Sequence, residues 1–183
     1  MKNEKEDITR KYDELNRIYY EYTELDYGND GTIETRTEVE YIYQEDGTKE
    51  EIIRRDNDGN GNYETIEISK YNANEQLLSL TIEKDENKDG KIDQVEYSTY
   101  GENETLLQHE RKVDTDFDGQ FEFYQKTFNL EDGTKKEVVL LDKDNDGEYD
   151  VEKVIVTDEN DNLISLSYDE KYLIDGEIGD FKQ

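Results

Sequence analysis

The sequence predicts an all-β protein built from tandem antiparallel β-hairpins, and two observations carry this prediction. An Asp-rich motif that ends in Asp-Gly or Asn-Gly recurs five times at a period of about 29 residues. Short runs of Thr, Tyr, Ile and Val lie between the motifs and are broken by Asn-, Asp- and Gly-rich turns. We therefore expect one hairpin per repeat, arranged as an elongated sheet or as a solenoid-like stack.

The five motifs share a register over nine positions. They begin at Asp26, Asp56, Asp85, Asp114 and Asp142, with separations of 30, 29, 29 and 28 residues. They read DYGNDGTIE, DNDGNGNYE, DENKDGKID, DTDFDGQFE and DKDNDGEYD. Position 6 is always Gly, position 8 is always apolar or aromatic, and position 9 is always acidic. Five copies in one register indicate a true sequence repeat rather than a set of unrelated Asp-Gly turns.

This spacing predicts calcium-binding loops, numbered 1 to 5 along the chain. Calcium takes six to eight oxygen ligands, and a Gly at position 6 lets the chain coil tightly enough for side chains at positions 1, 3 and 5 to converge. The predicted side-chain ligands are Asp26, Asp30, Glu34, Asp56, Asp58, Asn60, Glu64, Asp85, Asn87, Asp89, Asp93, Asp114, Asp116, Asp118, Glu122, Asp142, Asp144, Asp146 and Asp150. The predicted backbone carbonyl ligands at position 7 are Thr32, Asn62, Lys91, Gln120 and Glu148.

Position 9 rather than position 12 is expected to close each site. The helix-loop-helix version of this loop uses a bidentate Glu at position 12. Position 12 here is Thr37, Glu67, Glu96, Gln125 and Lys153, so only two copies match. An acid at position 9 in every copy suggests that a strand, not a helix, leaves the loop. Closure at position 12 remains open as an alternative.

Electrostatics favours about five bound calcium ions. Two carboxylates about 5 Å apart repel by roughly 3 kcal/mol at an effective dielectric constant of about 20, and each loop gathers several of them. Loop 1 is the weakest because Gly28 takes a ligand position. The small number of ligands per loop predicts weak sites, with dissociation constants of about 10⁻⁴–10⁻³ M.

The two ends of the chain are expected to differ from the repeats at 26–170. Residues 1–25 form a half-repeat, with a strand favoured over 17–25 and either helix or strand open over 5–16. Residues 171–183 contain KYLIDGEIG, a sixth copy that lacks acids at positions 1 and 9, and this segment is predicted to be a metal-free cap.

Charge and composition restrict the function. The chain has 51 acidic and 22 basic residues and a net charge of −29, which makes nucleic acid and anionic membrane unfavourable partners. No apolar run is long enough to insert into a membrane, and no signal-peptide core is visible. We expect an extracellular or cell-surface location, with the cytosol as the alternative.

Enzyme chemistry is not expected. The chain has no Cys and one His, which excludes nucleophilic triads, and its clustered acids are already explained as metal ligands. His109 is interpreted as a strand residue. Asn103 begins the sequon Asn-Glu-Thr within a predicted turn, and whether it carries a glycan is left open.

The loops, such as DTDFDGQFE, resemble those of dockerin modules and thrombospondin type 3 repeats, although dockerin helices are absent. The whole unit, with segments such as TDENDNLISLSYDE between loops, resembles the tyrosine- and aspartate-rich β-hairpin repeats of secreted or surface bacterial proteins. The resemblance spans nearly all of residues 12–178. It implies an extracellular array that calcium rigidifies.

The leading hypothesis is a structural protein that acts as a spacer or as the subunit of an extracellular fibre. Head-to-tail self-association through the N-terminal segment would form such a fibre. The first alternative is a calcium-dependent adhesion module that binds glycan or protein through exposed Tyr. The second is a calcium buffer or sensor, which tight calcium affinity would favour.

Overall fold

Twelve strands form one open antiparallel sheet in a computed structural model that describes residues 4–130, 132–170, 172–174 and 177–179. The order of strands in the sheet is the order in the chain. The strands are β1 (Lys5–Tyr12), β2 (Ile18–Asp26), β3 (Thr35–Tyr43), β4 (Lys49–Asp56), β5 (Thr65–Tyr71), β6 (Leu77–Lys84), β7 (Gln94–Tyr100), β8 (Leu106–Val113), β9 (Phe123–Asn129), β10 (Lys135–Leu141), β11 (Val151–Thr157) and β12 (Leu163–Glu170). The predicted all-β hairpin array is confirmed.

The sheet is elongated, so the solenoid-like alternative does not apply to the described strands. Strands β1 to β12 pack substantially only against their neighbours in the hydrogen-bonded ladder. With neighbouring strands about 4.8 Å apart, twelve strands extend for roughly 50 Å across the sheet. Because no second layer of strands covers either face within the described residues, this sheet has to be stable while open to water on both sides.

The N-terminal half-repeat is a β-hairpin, which settles the segment left open by the sequence. Both β1 and β2 are strands, and they pair in register from Lys5 opposite Asp26 to Lys11 opposite Tyr20. Residues 5–12 are therefore extended rather than helical. The helical spacing of Ile8, Tyr12 and Leu15 is a coincidence, since all three side chains are exposed and no neighbouring element offers an apolar surface to bury them.

Polar residues dominate the buried positions. Val151 is the one hydrophobic residue that is fully buried within the described part of the chain. The buried polar residues are Asp26, Asp56, Glu64, Asp85, Asp93, Gln94, Ser98, Asp114, Glu122 and Asp142. Eight of these ten are predicted metal ligands at positions 1 and 9, and the other two, Gln94 and Ser98, lie on β7. The best-buried region is thus the acidic loops.

Opposite charges on neighbouring strands stabilise the two open faces. Arg54 on β4 donates to Glu38 on β3 at 2.8 Å, and Lys126 on β9 lies 3.3 Å from Glu110 on β8. Arg55 on β4 pairs with Glu67 on β5 in the same way. Cross-strand pairs of this kind contribute roughly 0.2–1 kcal/mol each, and here they replace much of the apolar contact of a two-layer protein.

The two kinds of connection lie at opposite ends of the strands. They form two rims of the sheet, which we call the turn edge and the loop edge. Short turns join β1 to β2, β3 to β4 and each later pair, and they are closed by bonds such as Gln44 N–H to the Thr48 carbonyl at 3.0 Å. The five Asp-rich loops connect β2 to β3, β4 to β5, β6 to β7, β8 to β9 and β10 to β11 at the loop edge. Because each repeat adds two strands, neighbouring loops are about 10 Å apart along this edge.

One hairpin has a different register. In the β5–β6, β7–β8 and β9–β10 hairpins, position 10 of one loop pairs with the residue just before the next loop, as in Thr65 with Lys84. In β3–β4, position 11 of loop 1, Arg36, pairs with Asp56, which is position 1 of loop 2. Loop 1 is therefore displaced from loop 2 by two residues, about 7 Å along the strand direction.

The C-terminal segment forms two short paired strands, β13 (Tyr172–Ile174) and β14 (Glu177–Gly179), in a separate sheet. The remaining residues of the predicted cap at 171–183 lie outside the described residues, and the metal-free cap stays a prediction. No helix within the described part of the chain is long and apolar enough to cross a membrane.

Candidate metal centres

The Asp at position 1 organises each loop by accepting backbone N–H groups. Asp114 Oδ1 accepts from Phe117 and Oδ2 accepts from Gly119, both at 2.7 Å, and Asp118 N–H adds a longer bond of 3.3 Å to Oδ1. Asp26, Asp56, Asp85 and Asp142 likewise accept the position-6 glycine N–H on Oδ2. These charge-assisted bonds coil the loop around a buried carboxylate.

The coil needs two residues in the left-handed region of backbone conformation. Position 6 has φ between +87° and +100° in all five loops, and a side chain there would be strained even where there is open space around it. Position 4 also has positive φ, and the residues there are Asn29, Gly59, Lys88, Phe117 and Asn145. Loops that tolerate Lys and Phe in this conformation are held by the surrounding hydrogen bonds.

The acid at position 9 fastens the end of each loop to its beginning. Its carboxylate accepts the N–H of position 2, as in Asn57 to Glu64 at 2.6 Å and Lys143 to Asp150 at 2.7 Å. Its carbonyl accepts the N–H of the next loop's position 1 in three places, for example Asp114 to Asp93 at 2.8 Å. Position 9 therefore connects the loop internally and also connects it to the following repeat.

Four loops bring carboxylates close enough to share one cation. In each of these loops one ligand oxygen per acid lies within 4.8 Å of the others. The groups are Asp26, Asp30 and Glu34 in loop 1; Asp56, Asp58 and Glu64 in loop 2; Asp114, Asp116, Asp118 and Glu122 in loop 4; and Asp142, Asp144 and Asp150 in loop 5. In loop 3, Asp85, Asp89 and Asp93 are not gathered to this spacing, and Asn87 supplies an amide.

Two buried carboxylate oxygens in these groups have no hydrogen-bond partner. Glu64 Oε1 and Glu122 Oε1 are both shielded from solvent, on side chains of residues that are only 5% and 7% exposed. An unpaired buried carboxylate oxygen costs free energy unless a cation or donor satisfies it. The donor set of loops 2 and 4 therefore fits a hard cation such as Ca²⁺.

The acids within one loop differ in pKa because their surroundings differ. Partial burial and the neighbouring Asp118 raise the pKa of Asp116, and burial together with Asp146 and Asp150 raises the pKa of Asp144. At position 1 burial acts in the same direction, yet N–H donation from Gly31, Asp30 and Gly28 lowers the pKa of Asp26 overall. Position 1 is thus stabilised as a carboxylate by the backbone, whereas position 3 of loops 4 and 5 lacks a counter-charge.

Position 12 lies outside the loops. Glu67 pairs with Arg55 across β4 and β5, and Glu96 on β7 accepts from Gln94 at 2.5 Å and lies 3.8 Å from Lys84. Both carboxylates are part of strand ladders rather than of a loop. The acids of positions 1 and 9 belong to every group, position 3 joins them in loops 2, 4 and 5, and position 5 joins them in loops 1 and 4, whereas Asp146 at position 5 of loop 5 stays outside its group. Closure of a metal site by position 9 stays a prediction.

The remaining predicted positions have identifiable contacts. The N–H of position 7 donates to the side-chain oxygen of position 5, as in Gln120 to Asp118 at 2.8 Å, and the role of the position-7 carbonyl stays a prediction. Position 8 folds back over the sheet, where Tyr63 donates to Glu38 at 3.0 Å. Burial and the nearby Glu38 raise the pKa of Tyr63 to about 12.

Basic and amide side chains on some loops were not anticipated from the sequence. Arg36 Nη1 lies 2.7 Å from Asp56 Oδ2, Lys88 Nζ lies 2.5 Å from Asp58 Oδ2, and Asn145 donates to Asp118 Oδ2 at 2.7 Å. Lys88 and Asn145 occupy position 4 of the following loop, so their spacing of about one repeat was a usable signal. Arg36 gave none, because its position depends on the shifted register of β3–β4.

The other residues singled out by the sequence lie away from the loops. His109 on β8 is within 3.0 Å of Ser98 Oγ on β7, as expected for a strand residue. Asn103 lies in the exposed turn Glu102–Glu104 at the opposite edge of the sheet, with φ of 56°. Neither residue lies in one of the acidic groups.

Comparison with models of known protein families found no match, and comparison with curated proteins found none similar to this chain. The resemblance to surface hairpin repeats therefore remains a prediction from the motifs.

Proposed function

We propose that this protein is a calcium-binding structural array that serves as a spacer or fibre subunit at the cell surface or outside the cell. Loop 4 carries the proposal, because it gathers four carboxylates and one of them, Glu122, has a buried oxygen without a partner. Hard oxygen donors at this spacing suit Ca²⁺ better than metals that favour nitrogen or sulfur.

Asp114, Asp116, Asp118 and Glu122 would hold the ion in loop 4, and the corresponding residues would do so in the other loops. The ion would supply positive charge at the point where these four carboxylates converge. Asp114 and Glu122 are already fixed by backbone N–H groups, so the chain has largely formed the site before binding. The exposed Asp116 and Asp118 are the side chains that binding would order.

A mechanical role follows from where the loops lie. All five are on one edge of a single-layer sheet, about 10 Å apart, and each contributes several negative charges to that edge. Repulsion along the row opposes a compact, ordered edge at low ionic strength. Neutralising the row would therefore stiffen the long dimension of the sheet, which is the property required of a spacer.

Calorimetric titration of calcium into chelator-treated protein tests the proposal. We expect up to five ions, and we expect the double change Asp116→Asn and Asp118→Asn to abolish one of them. A matched control is Glu45→Gln with Glu159→Gln, which removes two charges from exposed turns at the opposite edge. Dissociation constants near 10⁻⁴–10⁻³ M support an extracellular array, whereas micromolar binding favours a buffer or sensor.

Two results would contradict the proposal. One is the absence of binding heat together with an unchanged melting temperature in calcium and in chelator. The other is an equal loss of binding in the loop variant and in the turn variant, because that outcome would assign calcium to the diffuse charge of the surface rather than to the loops.

Fibre formation would use the two outer strands. β1 is already paired with β2, so the N-terminal segment can offer a partner only its outer edge and not a detached strand. At the other side, β12 has no further strand beside it in the described sheet. Since β1 runs away from the loop edge and β12 runs toward it, β1 of one copy beside β12 of another would continue the antiparallel order with loops aligned.

A further inference from the structure

Loop 2 differs from the other loops in its counter-charges. Asp56 is completely buried, and Arg36 Nη1 lies 2.7 Å from its Oδ2 and donates to the Gly59 carbonyl at 2.6 Å. Within the described residues, no arginine makes the corresponding contact with the position-1 Asp of loops 1, 3, 4 and 5. The guanidinium thus lies inside loop 2 and bonds both its central carboxylate and its backbone.

The shifted register of β3–β4 explains why only loop 2 has this contact. The shift places Arg36 directly opposite Asp56 and on the same face of the sheet. It also brings the two loops together so closely that a Cβ on Gly59 would lie 1.8 Å from the Ile33 carbonyl oxygen. Loop 2 is therefore packed beneath the end of loop 1, and the arginine is enclosed between them at 23% side-chain exposure.

A second cation reaches loop 2 from the other side. Lys88, at position 4 of loop 3, has its Nζ 2.5 Å from Asp58 Oδ2. The acids of loop 2 contribute three negative charges, from Asp56, Asp58 and Glu64, because position 5 is the neutral Asn60. Arg36 and Lys88 compensate two of these charges. In loop 4, by contrast, Asp114, Asp116, Asp118 and Glu122 contribute four negative charges, and Lys91 of loop 3 acts on Asp118 without a contact as short as those in loop 2.

We propose that Arg36 acts as a built-in counter-ion in loop 2, so that this loop keeps its coil without metal and is the last of the four grouped loops to take calcium, after loop 1, which the sequence alone ranks weakest because of Gly28. The inference rests on the proposed calcium function. Its physical basis is that a fixed positive charge on Asp56 Oδ2 repels an incoming divalent cation and satisfies the buried Asp56 carboxylate. Glu64 Oε1 stays without a partner, so loop 2 can still take calcium, but at a higher concentration. Calcium would then fill the array unevenly, with the β3–β4 junction ordered at all calcium concentrations.

Backbone amide NMR can follow each loop separately. The position-6 glycines Gly31, Gly61, Gly119 and Gly147 donate to the position-1 carboxylates of the grouped loops, so their amide signals report local binding. Titrating the full chain with calcium, we expect the Gly61 signal to shift last. In Arg36→Gln the Gly61 midpoint should fall by at least about tenfold, because the positive charge beside the site is lost.

Two further variants make this test specific. Arg54→Gln also removes one arginine charge. Arg54 is on β4, on the face of the sheet that carries Arg36, and it contacts Glu38 rather than a loop. This change should leave the order in which the loops fill unchanged. Lys88→Asn removes the exposed second cation and places at position 4 the residue found in loops 1 and 5, so it should fold even if Arg36→Gln does not. It should lower the Gly61 midpoint by a smaller factor.

The outcomes separate this inference from the proposed function. If no glycine signal responds to calcium, the calcium function itself fails. If the signals respond but Gly61 shifts with or before the others in the native chain, the built-in counter-ion is wrong while the calcium array stands. An unchanged Gly61 midpoint in both the Arg36 and the Lys88 variants would also overturn it.

Discussion

At the scale of single residues, the predicted metal ligands fall into two groups with different duties. Asp114 and Glu122 are buried and accept backbone N–H groups, so they shape the loop whether or not an ion is present. Asp116 and Asp118 are exposed, and they accept fewer backbone bonds: Asp118 accepts from Gln120 N–H at 2.8 Å, and Asp116 accepts a longer bond of 3.3 Å from Asp118 N–H. Removing calcium should therefore loosen the exposed ligands before it unfolds the loops, and the large loss of strand that tight coupling of binding and folding would produce is not required.

Alanine substitutions at two glycines of loop 2 distinguish the cost of backbone strain from the cost of a steric clash. Gly61→Ala places a Cβ in open space at φ of +96°, so we expect a destabilisation of about 1–2 kcal/mol from conformation alone. Gly59→Ala adds a Cβ 1.8 Å from the Ile33 carbonyl oxygen at φ of +73°, and should cost roughly 1–3 kcal/mol more. Urea unfolding of both variants in calcium-free buffer measures the difference. Equal losses would mean that loops 1 and 2 are not packed together.

At the scale of elements, the hairpin turns and position 3 of loops 4 and 5 respond to acid in opposite ways. Bonds from Thr48 lower the pKa of Asp46, and bonds from Asn162 lower the pKa of Asp158, both relative to an ordinary value of 3.8. Such groups stabilise the fold above that value, and the stabilisation is lost as the pH falls through their lower native pKa. Asp116 and Asp144, with raised pKa values, oppose folding near neutral pH, and protonation relieves that effect.

We therefore expect calcium-free stability to rise as the pH falls through the raised native pKa values of Asp116 and Asp144 toward 3.8, and to decrease as the pH falls further, through the lowered native pKa values of Asp46 and Asp158. Thermal melts monitored by circular dichroism across this range give the profile. Asp116→Asn with Asp144→Asn should flatten the rise and leave the acid limb in place. A stability that decreases steadily from pH 7 would show that repulsion within the loops is not significant.

The elements were well predicted from the sequence where the signal was local. Gly at position 6, the acid at position 9 and the Asn- and Asp-rich turns each fix backbone conformation within a few residues, and the loops and hairpins follow from them. The register of β3–β4 was not predicted, because it depends on pairing between strands and not on a local motif. Arg36 was missed for the same reason. The single layer of the sheet could be inferred only in part, from sparse apolar content.

At the scale of the whole molecule, the two outer strands are unequal. β1 carries charged residues along its length, including Lys5, Arg10 and Lys11, which discourages uncontrolled pairing. β12 exposes Leu163, Ile164 and Leu166, which are 61%, 57% and 55% exposed. An apolar outer strand is the side from which an array of this kind would self-associate.

Replacing an apolar residue of β12 by Lys should weaken self-association. We expect Ile164→Lys to lower the average mass measured by light scattering at high protein concentration in calcium, because a charged residue on an outer strand disfavours pairing with another strand. Leu78→Lys on the inner strand β6 is the control, since Leu78 is also exposed but its strand is paired on both sides. A native chain that is monomeric at every concentration would contradict a fibre built by pairing through β12.

The order of strands in the sheet, identical to their order in the chain, also determines how the protein reaches its structure. Because each described strand packs substantially only against its neighbours in sequence, most contacts between strands form by closing short loops, which favours fast folding for a β protein. Folding can begin at any hairpin and spread in both directions, and the β9–β12 end can melt while the β3–β6 region stays formed. Deleting one complete repeat should accordingly leave a shorter protein that still folds.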